Sequence, residues 1–156
     1  MNIKNSGTAI SNEESFIQWE PKYKIGIPLI DAQHEQLVNL CNEFYQSLLQ
    51  NNNIENYQSL VKNTLEACLN YAASHFREEE RLMLASHFAG YKEHKASHDA
   101  FTEKIEIAYN SFEKMPVSEA IKFAHFLHNW IRTHIAHEDR LYLPTLLEFL
   151  KKNASK

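Results

Sequence analysis

His75 and Glu79 stand four residues apart, and so do His94 and His98. On a helix that spacing puts both members of a pair on one face. His34 precedes Leu37 and Cys41 on an apolar repeat of helical period, and His134 follows Leu127 and Ile131 on another. These six polar residues fall where core residues are expected. An unpaired polar group in a protein interior costs about 2–7 kcal/mol, so six of them need something in common to satisfy. One histidine on an apolar face is ordinarily a core residue bonded to a backbone carbonyl. Two i,i+4 pairs joined by single histidines on two further stripes do not fit that explanation, whereas a metal centre satisfies all six. Five histidines and at least one carboxylate are too many for a single tetrahedral zinc and too rich in nitrogen for calcium or magnesium. Mixed imidazole and carboxylate donors suit iron, and this number suits two ions.

Four elements must carry these residues. Leu37, Leu40, Cys41, Phe44 and Leu48 recur at three- and four-residue steps after Asp31, a candidate N-cap. Polar 50–53 closes that helix. The second stripe runs Tyr57, Val61, Thr64, Cys68, Tyr71, Ala72, His75, Glu79 and Leu82, and Gly90 ends it. The third runs Tyr91, His94, His98, Phe101, Ile105, Ala108 and Phe112, closed by Pro116. Ser118 is placed to cap the fourth, with Ala120, Ala124, Leu127, Ile131 and His134. Pro144 disfavours helix at Leu143, and a short amphipathic helix over 145–151 follows. Phe16–Ile30 is too apolar for a free linker and too interrupted by Pro21, Gly26 and Pro28 for a helix; it reads as a loop packed along the bundle. Short connections make neighbours antiparallel, so the expected fold is all-α, an up-down-up-down four-helix bundle with an N-terminal packed loop and a short C-terminal helix.

Composition agrees. Three glycines and four prolines in 156 residues leave long uninterrupted elements, and 44% hydrophobic with 23% charged residues is ordinary for one globular domain. Residues 1–15 read as a polar N-terminal tail without the character of a signal peptide, and 16–151 as the domain. A net charge of −4 argues against nucleic acid as a partner, and no apolar run is long enough to span a bilayer. The two cysteines, Cys41 and Cys68, make no disulfide framework and read as small core residues, which points to a cytoplasmic protein. His87 precedes the loop at Gly90, His125, His128 and His137 fall off the ligand face of the fourth helix, and all four read as surface residues or supports.

The segment Trp19-x-x-x-Tyr23-x-x-Gly26-x-x-x-Ile30-Asp31-x-Gln33-His34 is followed by His75-Phe76-x-x-Glu79-Glu80-x-x-Met83. Tyr91-x-x-His94-x-x-x-His98-x-x-Phe101 and Trp130-x-x-x-His134-Ile135-x-x-x-Asp139-x-x-Tyr142 complete the series. From about Trp19 to Tyr142 the chain resembles the hemerythrins, specifically the bacterial type. The resemblance adds Asp139 as a seventh ligand. Asp139 lies five residues after His134, about 140° round an ideal helix. If it is a ligand, the helix must loosen or bulge there, or Asp139 must reach back from its end.

By the same resemblance His94, His98 and His134 bind one iron and His34 and His75 the other, with Glu79, Asp139 and an oxo or hydroxo oxygen bridging both. Counting donors then closes one iron at six and leaves the other at five, with one open position. Phe76, Trp130, Ile131 and Ile135 fall where the family builds its oxygen pocket, and Tyr142 is placed to hydrogen-bond a bridging carboxylate or line the pocket. The expected function is reversible dioxygen binding by a monomeric carrier that serves an oxygen-using protein and is not an enzyme. The alternatives are an oxygen or redox sensor, for which 156 residues leave little room for a signalling domain, and a di-iron enzyme acting on peroxide or nitric oxide.

Overall fold

Each amphipathic stretch forms a helix because its apolar stripe is buried against the next. The computed structural model describes residues 15–50 and 53–154; of the N-terminal tail read from the sequence, all but Ser15 lies outside them. Four helices form the bundle: α1 (Pro28–Gln50), α2 (Ile54–Ala85), α3 (Tyr91–Tyr109) and α4 (Val117–Trp130). The last continues as a π-helical segment, Ile131–Glu138, and one α-helical turn, α5 (Asp139–Leu141), before α6 (Leu143–Ala154). Helix α1 packs on α2 and α4, and α2 packs on α3. Phe101 closes α3 onto α4 through Trp130 and Phe126, at ring-centroid distances of 4.5 and 5.6 Å. This is the up-down-up-down arrangement, and no described helix is long and apolar enough to cross a membrane.

The helix ends differ from the sequence reading in ways that local chemistry explains. Asp31 is not the N-cap of α1. The helix starts at Pro28, where fixed φ and a missing N–H cost nothing, and the Asp31 carboxylate reaches back to the Ile25 and Gly26 N–H groups at 2.7 and 3.2 Å. Gly26 takes φ +89, the left-handed turn that feeds the helix. Ser118 is likewise not a cap, because α4 begins one residue earlier after Pro116. Asn53 caps α2 by accepting from the Glu55 and Asn56 N–H groups. Helix α3 ends at Tyr109, and Phe112 sits in a 3-10 turn. The break near Pro144 falls at Tyr142 rather than Leu143, because proline is tolerated in the first turn of α6.

The loop before α1 packs along the bundle as expected. Ile17 exchanges two hydrogen bonds with the Asn42 side chain, and Arg140 donates to the Lys22 and Lys24 carbonyls. Tyr23 and Ile25 are buried. Buried side chains form a large apolar cluster containing Leu37, Phe76, Ile131 and Ile135, and a smaller one containing Ile30, Met83, Tyr142 and Leu146. Along every helix that contributes to both, a buried polar residue lies between them: His34 on α1, Glu79 on α2 and Asp139 after the π-helical segment.

Candidate metal centre

All seven residues singled out from the sequence converge, and none is more than 4% exposed. Their donor atoms form two groups, each with all atoms within 4.8 Å of one another: Glu79, His94, His98, His134 and Asp139 in one, His34, His75, Glu79 and Asp139 in the other. The two carboxylates belong to both. Asp139 divides its oxygens, Oδ2 lying 3.1 Å from His34 Nε2 while Oδ1 lies 3.0 and 2.9 Å from His94 and His134 Nε2. Glu79 Oε2 faces His75 and His98 Nε2 at 3.4 and 3.2 Å, and Oε1 faces His34 at 3.8 Å. Adjacent donors on one ion with bonds of roughly 2.0–2.2 Å are separated by about 3 Å, which is the spacing seen. His34, His75 and His94 Nε2, Glu79 Oε2 and both Asp139 oxygens have no hydrogen-bond partner among the described residues. Buried polar atoms are rarely left so, and together they form a cage that fits metal ions.

The fourth rod shows how Asp139 arrives. Its N–H donates to the His134 carbonyl, an i→i+5 bond of π type. The widened turns cut the offset of about 140° that an α-helix would impose and bring the carboxylate over His134. The irregularity expected from the spacing is therefore a whole π segment.

Most of the imidazoles are fixed from behind. His34 Nδ1 donates to the Tyr23 carbonyl at 3.0 Å, His75 Nδ1 to Gln33 Oε1 at 2.7 Å and His98 Nδ1 to Glu80 Oε1 at 2.9 Å. His134 Nδ1 lies 2.8 Å from Glu138 Oε2. Holding the proton on Nδ1 leaves Nε2 as the free donor. Tyr142 donates to Glu79 Oε1 at 2.9 Å. Sequence reasoning assigned no role to Gln33, Glu80 or Glu138. Gln33 and Glu80 stand as named positions in the family pattern, and Glu138 lies one turn after His134.

Burial and the neighbouring charges oppose each other throughout the cluster. Burial disfavours the imidazolium of His34, yet the Asp139 and Glu79 carboxylates raise its pKa to about 10. His134 rises to about 9 against the same burial, chiefly through Asp139. Burial drives His75 down to about 4. Glu79 is held down at about 2, and Asp139 well below the usual range, because neighbouring imidazoles outweigh burial and mutual repulsion.

The expected pocket residues distribute unevenly. Phe76 stacks on His98 at 3.8 Å and 4°, and Trp130 on His134 at 4.0 Å and 11°, both in the three-histidine group. Phe76 meets His75 less closely, at 5.8 Å and 54°. Ile131 and Ile135 are fully buried. The ring stacked on His75 is that of Tyr71, at 4.8 Å and 19°. Its hydroxyl is buried without a hydrogen-bond partner, as is the Trp130 indole N–H, and such a group costs about 1–3 kcal/mol. His87, His125 and His137 are exposed, His128 is half-buried, and none joins either group. Cys41 and Cys68 are buried free thiols, and burial pushes Cys41 up to about 12.

Residues 25–146 match the family model for the hemerythrin HHE cation binding domain. A bacteriohemerythrin of Clostridium acetobutylicum is 30% identical over 133 residues, which cover 80% of this chain and 97% of the relative. One of Aquifex aeolicus is 28% identical over 120 residues, covering 74% and 86%. The crystal structure of a wild-type hemerythrin superposes with a TM-score of 0.72 at 24% identity, over 85% of this chain and 98% of that one. At that identity the superposition speaks for the fold.

Proposed function

The chain belongs to the hemerythrin family, and from that premise we propose that it binds dioxygen reversibly at a pair of iron ions held by His34, His75, Glu79, His94, His98, His134 and Asp139. The observation that carries this reading is the division of the cage into five donors and four, with Glu79 and Asp139 common to both. The iron pair, when bound, supplies the electrons and an open coordination position for dioxygen. The protein's part is to keep that position singular and dry. His94, His98 and His134 would hold one ion and His34 and His75 the other, with Glu79 and Asp139 common to both, so the second side would have one protein donor fewer. Tyr142 holds Glu79 in place through Oε1. Phe76 packs on the histidines, Ile131 and Ile135 are buried in the same apolar cluster, and none of the three carries an acid able to drive O–O cleavage, which favours release of the ligand intact and a carrier rather than an enzyme. The mild net charge and the paucity of cysteine fit a cytoplasmic monomer that passes dioxygen to an oxygen-using protein without contact with nucleic acid.

Anaerobic reduction of the iron-loaded protein followed by admission of air tests this. A visible charge-transfer band should appear with oxygen and vanish on degassing. Irreversible conversion to the diferric form in the first exposure sinks the carrier reading.

A further inference from the structure

Tyr71 lies one turn before His75 on α2, with its ring stacked on that imidazole. The residue is 5% exposed, and its hydroxyl has neither solvent access nor a hydrogen-bond partner among the described residues. A groove between α1 and α2, about 440 Å³ and lined by Gln36, Leu37, Leu40, Ala67 and Tyr71, reaches the ring from outside. The oxygen stays out of its reach, so bulk water does not supply the missing acceptor. The hydroxyl is thus a buried donor with nothing to donate to, on a ring stacked against a member of the four-donor group. Tyr142, the other buried phenol close to Glu79, differs because it spends its proton on Oε1. His75 is in the four-donor group, the one with a coordination position to spare.

We infer that Tyr71 is a ligand-binding residue whose hydroxyl donates a hydrogen bond to the small anionic or dioxygen ligand lodged beside His34 and His75. This rests on the reading of an open position in that half. It explains why a buried polar atom without a partner is retained beside His75: its acceptor arrives with the ligand. Phenylalanine would preserve the stacking on His75 and remove only the donor.

The test compares wild type and Tyr71→Phe as diferric proteins titrated with azide, a small anion with a visible charge-transfer band on ferric iron. The variant should bind azide about 10–100-fold more weakly, as expected for loss of one hydrogen bond to a charged acceptor. The iron–azide vibration of the wild type should shift in D2O, and that of the variant should not. The metal-free variant should melt no lower than the metal-free wild type, since it loses an unpaired buried hydroxyl. Equal azide affinity with the D2O shift retained overturns the role of Tyr71 and leaves the open position standing. A lower melting temperature for the metal-free variant shows that the hydroxyl has a structural partner and also overturns it. Failure of the wild type itself to take azide overturns the open position, and Tyr71 with it.

Discussion

The imidazoles that present Nε2 to the centre differ in what holds their other nitrogen. His34 and His75 are held by neutral acceptors, a backbone carbonyl and an amide, whereas His98 and His134 are set against the carboxylates of Glu80 and Glu138. A carboxylate behind an imidazole raises its basicity and strengthens it as a ligand. The three-histidine side is thereby made the firmer of the two, which suits a side with no place for an exogenous ligand. Glu80→Gln and Glu138→Gln keep a hydrogen-bond acceptor and remove the charge. Each should weaken metal binding by about 10–100-fold and raise the reduction potential of the loaded centre, as read by metal-competition titration and redox titration. Gln33→Glu should strengthen the His75 side by the same logic. Unchanged affinity and potential in all three variants would show that these groups set orientation only. The difference was hidden in the sequence for a physical reason. Gln33 and Glu80 sit one residue off the ligand stripe, where any polar residue is unremarkable on a helix surface, and only the folded geometry shows which of them turn inward.

At the scale of elements, the stripes were legible because burial imposes a period: Leu37, Cys41, Phe44 and Leu48 on α1, and Val61, Cys68 and Ala72 on α2, are all buried. Helix ends were less so, since Asp31 and Ser118 have the right chemistry for caps and the prolines beside them set the starts instead. The π segment was half legible. The five-residue step from His134 to Asp139 demanded an irregularity, but its length over Ile131–Glu138 depends on packing that a spacing does not encode. A π-helix is a rare conformation concentrated at functional sites. This one has a ligand inside it and another just past its end, so metal binding should clamp it. Backbone amides over 131–139 should exchange quickly in the metal-free protein and slow strongly on loading, while those over 61–72 of α2 change little. Hydrogen exchange followed by mass spectrometry measures both, and equal protection of 131–139 in the two forms would mean that packing alone maintains the π geometry.

At the scale of the whole molecule, a buried polar cage separates two apolar clusters, so the stability of the bundle should follow the protonation of the cage. His34 and His134 have raised pKa values, about 10 and about 9. Their pairing with the carboxylates is fully present below the unfolded histidine value of about 6.5 and is lost as pH rises through 9 and 10. His75, lowered to about 4, acts in the other direction: its stabilisation is present above about 6.5 and is lost as pH falls toward 4. Glu79, held at about 2, and Asp139, held well below its usual range, contribute above their ordinary carboxylate values and fail last, in strong acid. The metal-free protein should therefore melt highest near pH 6.5 and lose stability on both sides. Metal binding requires His34 and His134 to give up their Nε2 protons, so loading at pH 7 should release about two protons and tighten about a hundredfold per pH unit up to pH 8.5. The loaded protein should then be more stable at pH 8.5 than the metal-free one by a margin that shrinks on acidification. Anaerobic iron(II) titration in buffers of different ionisation enthalpy counts the protons, and melting curves at pH 5.5, 6.5 and 8.5 read the stability. Loading enthalpies independent of the buffer, or a metal-free protein most stable at pH 8.5, would show that the cage holds its histidines neutral before any metal arrives.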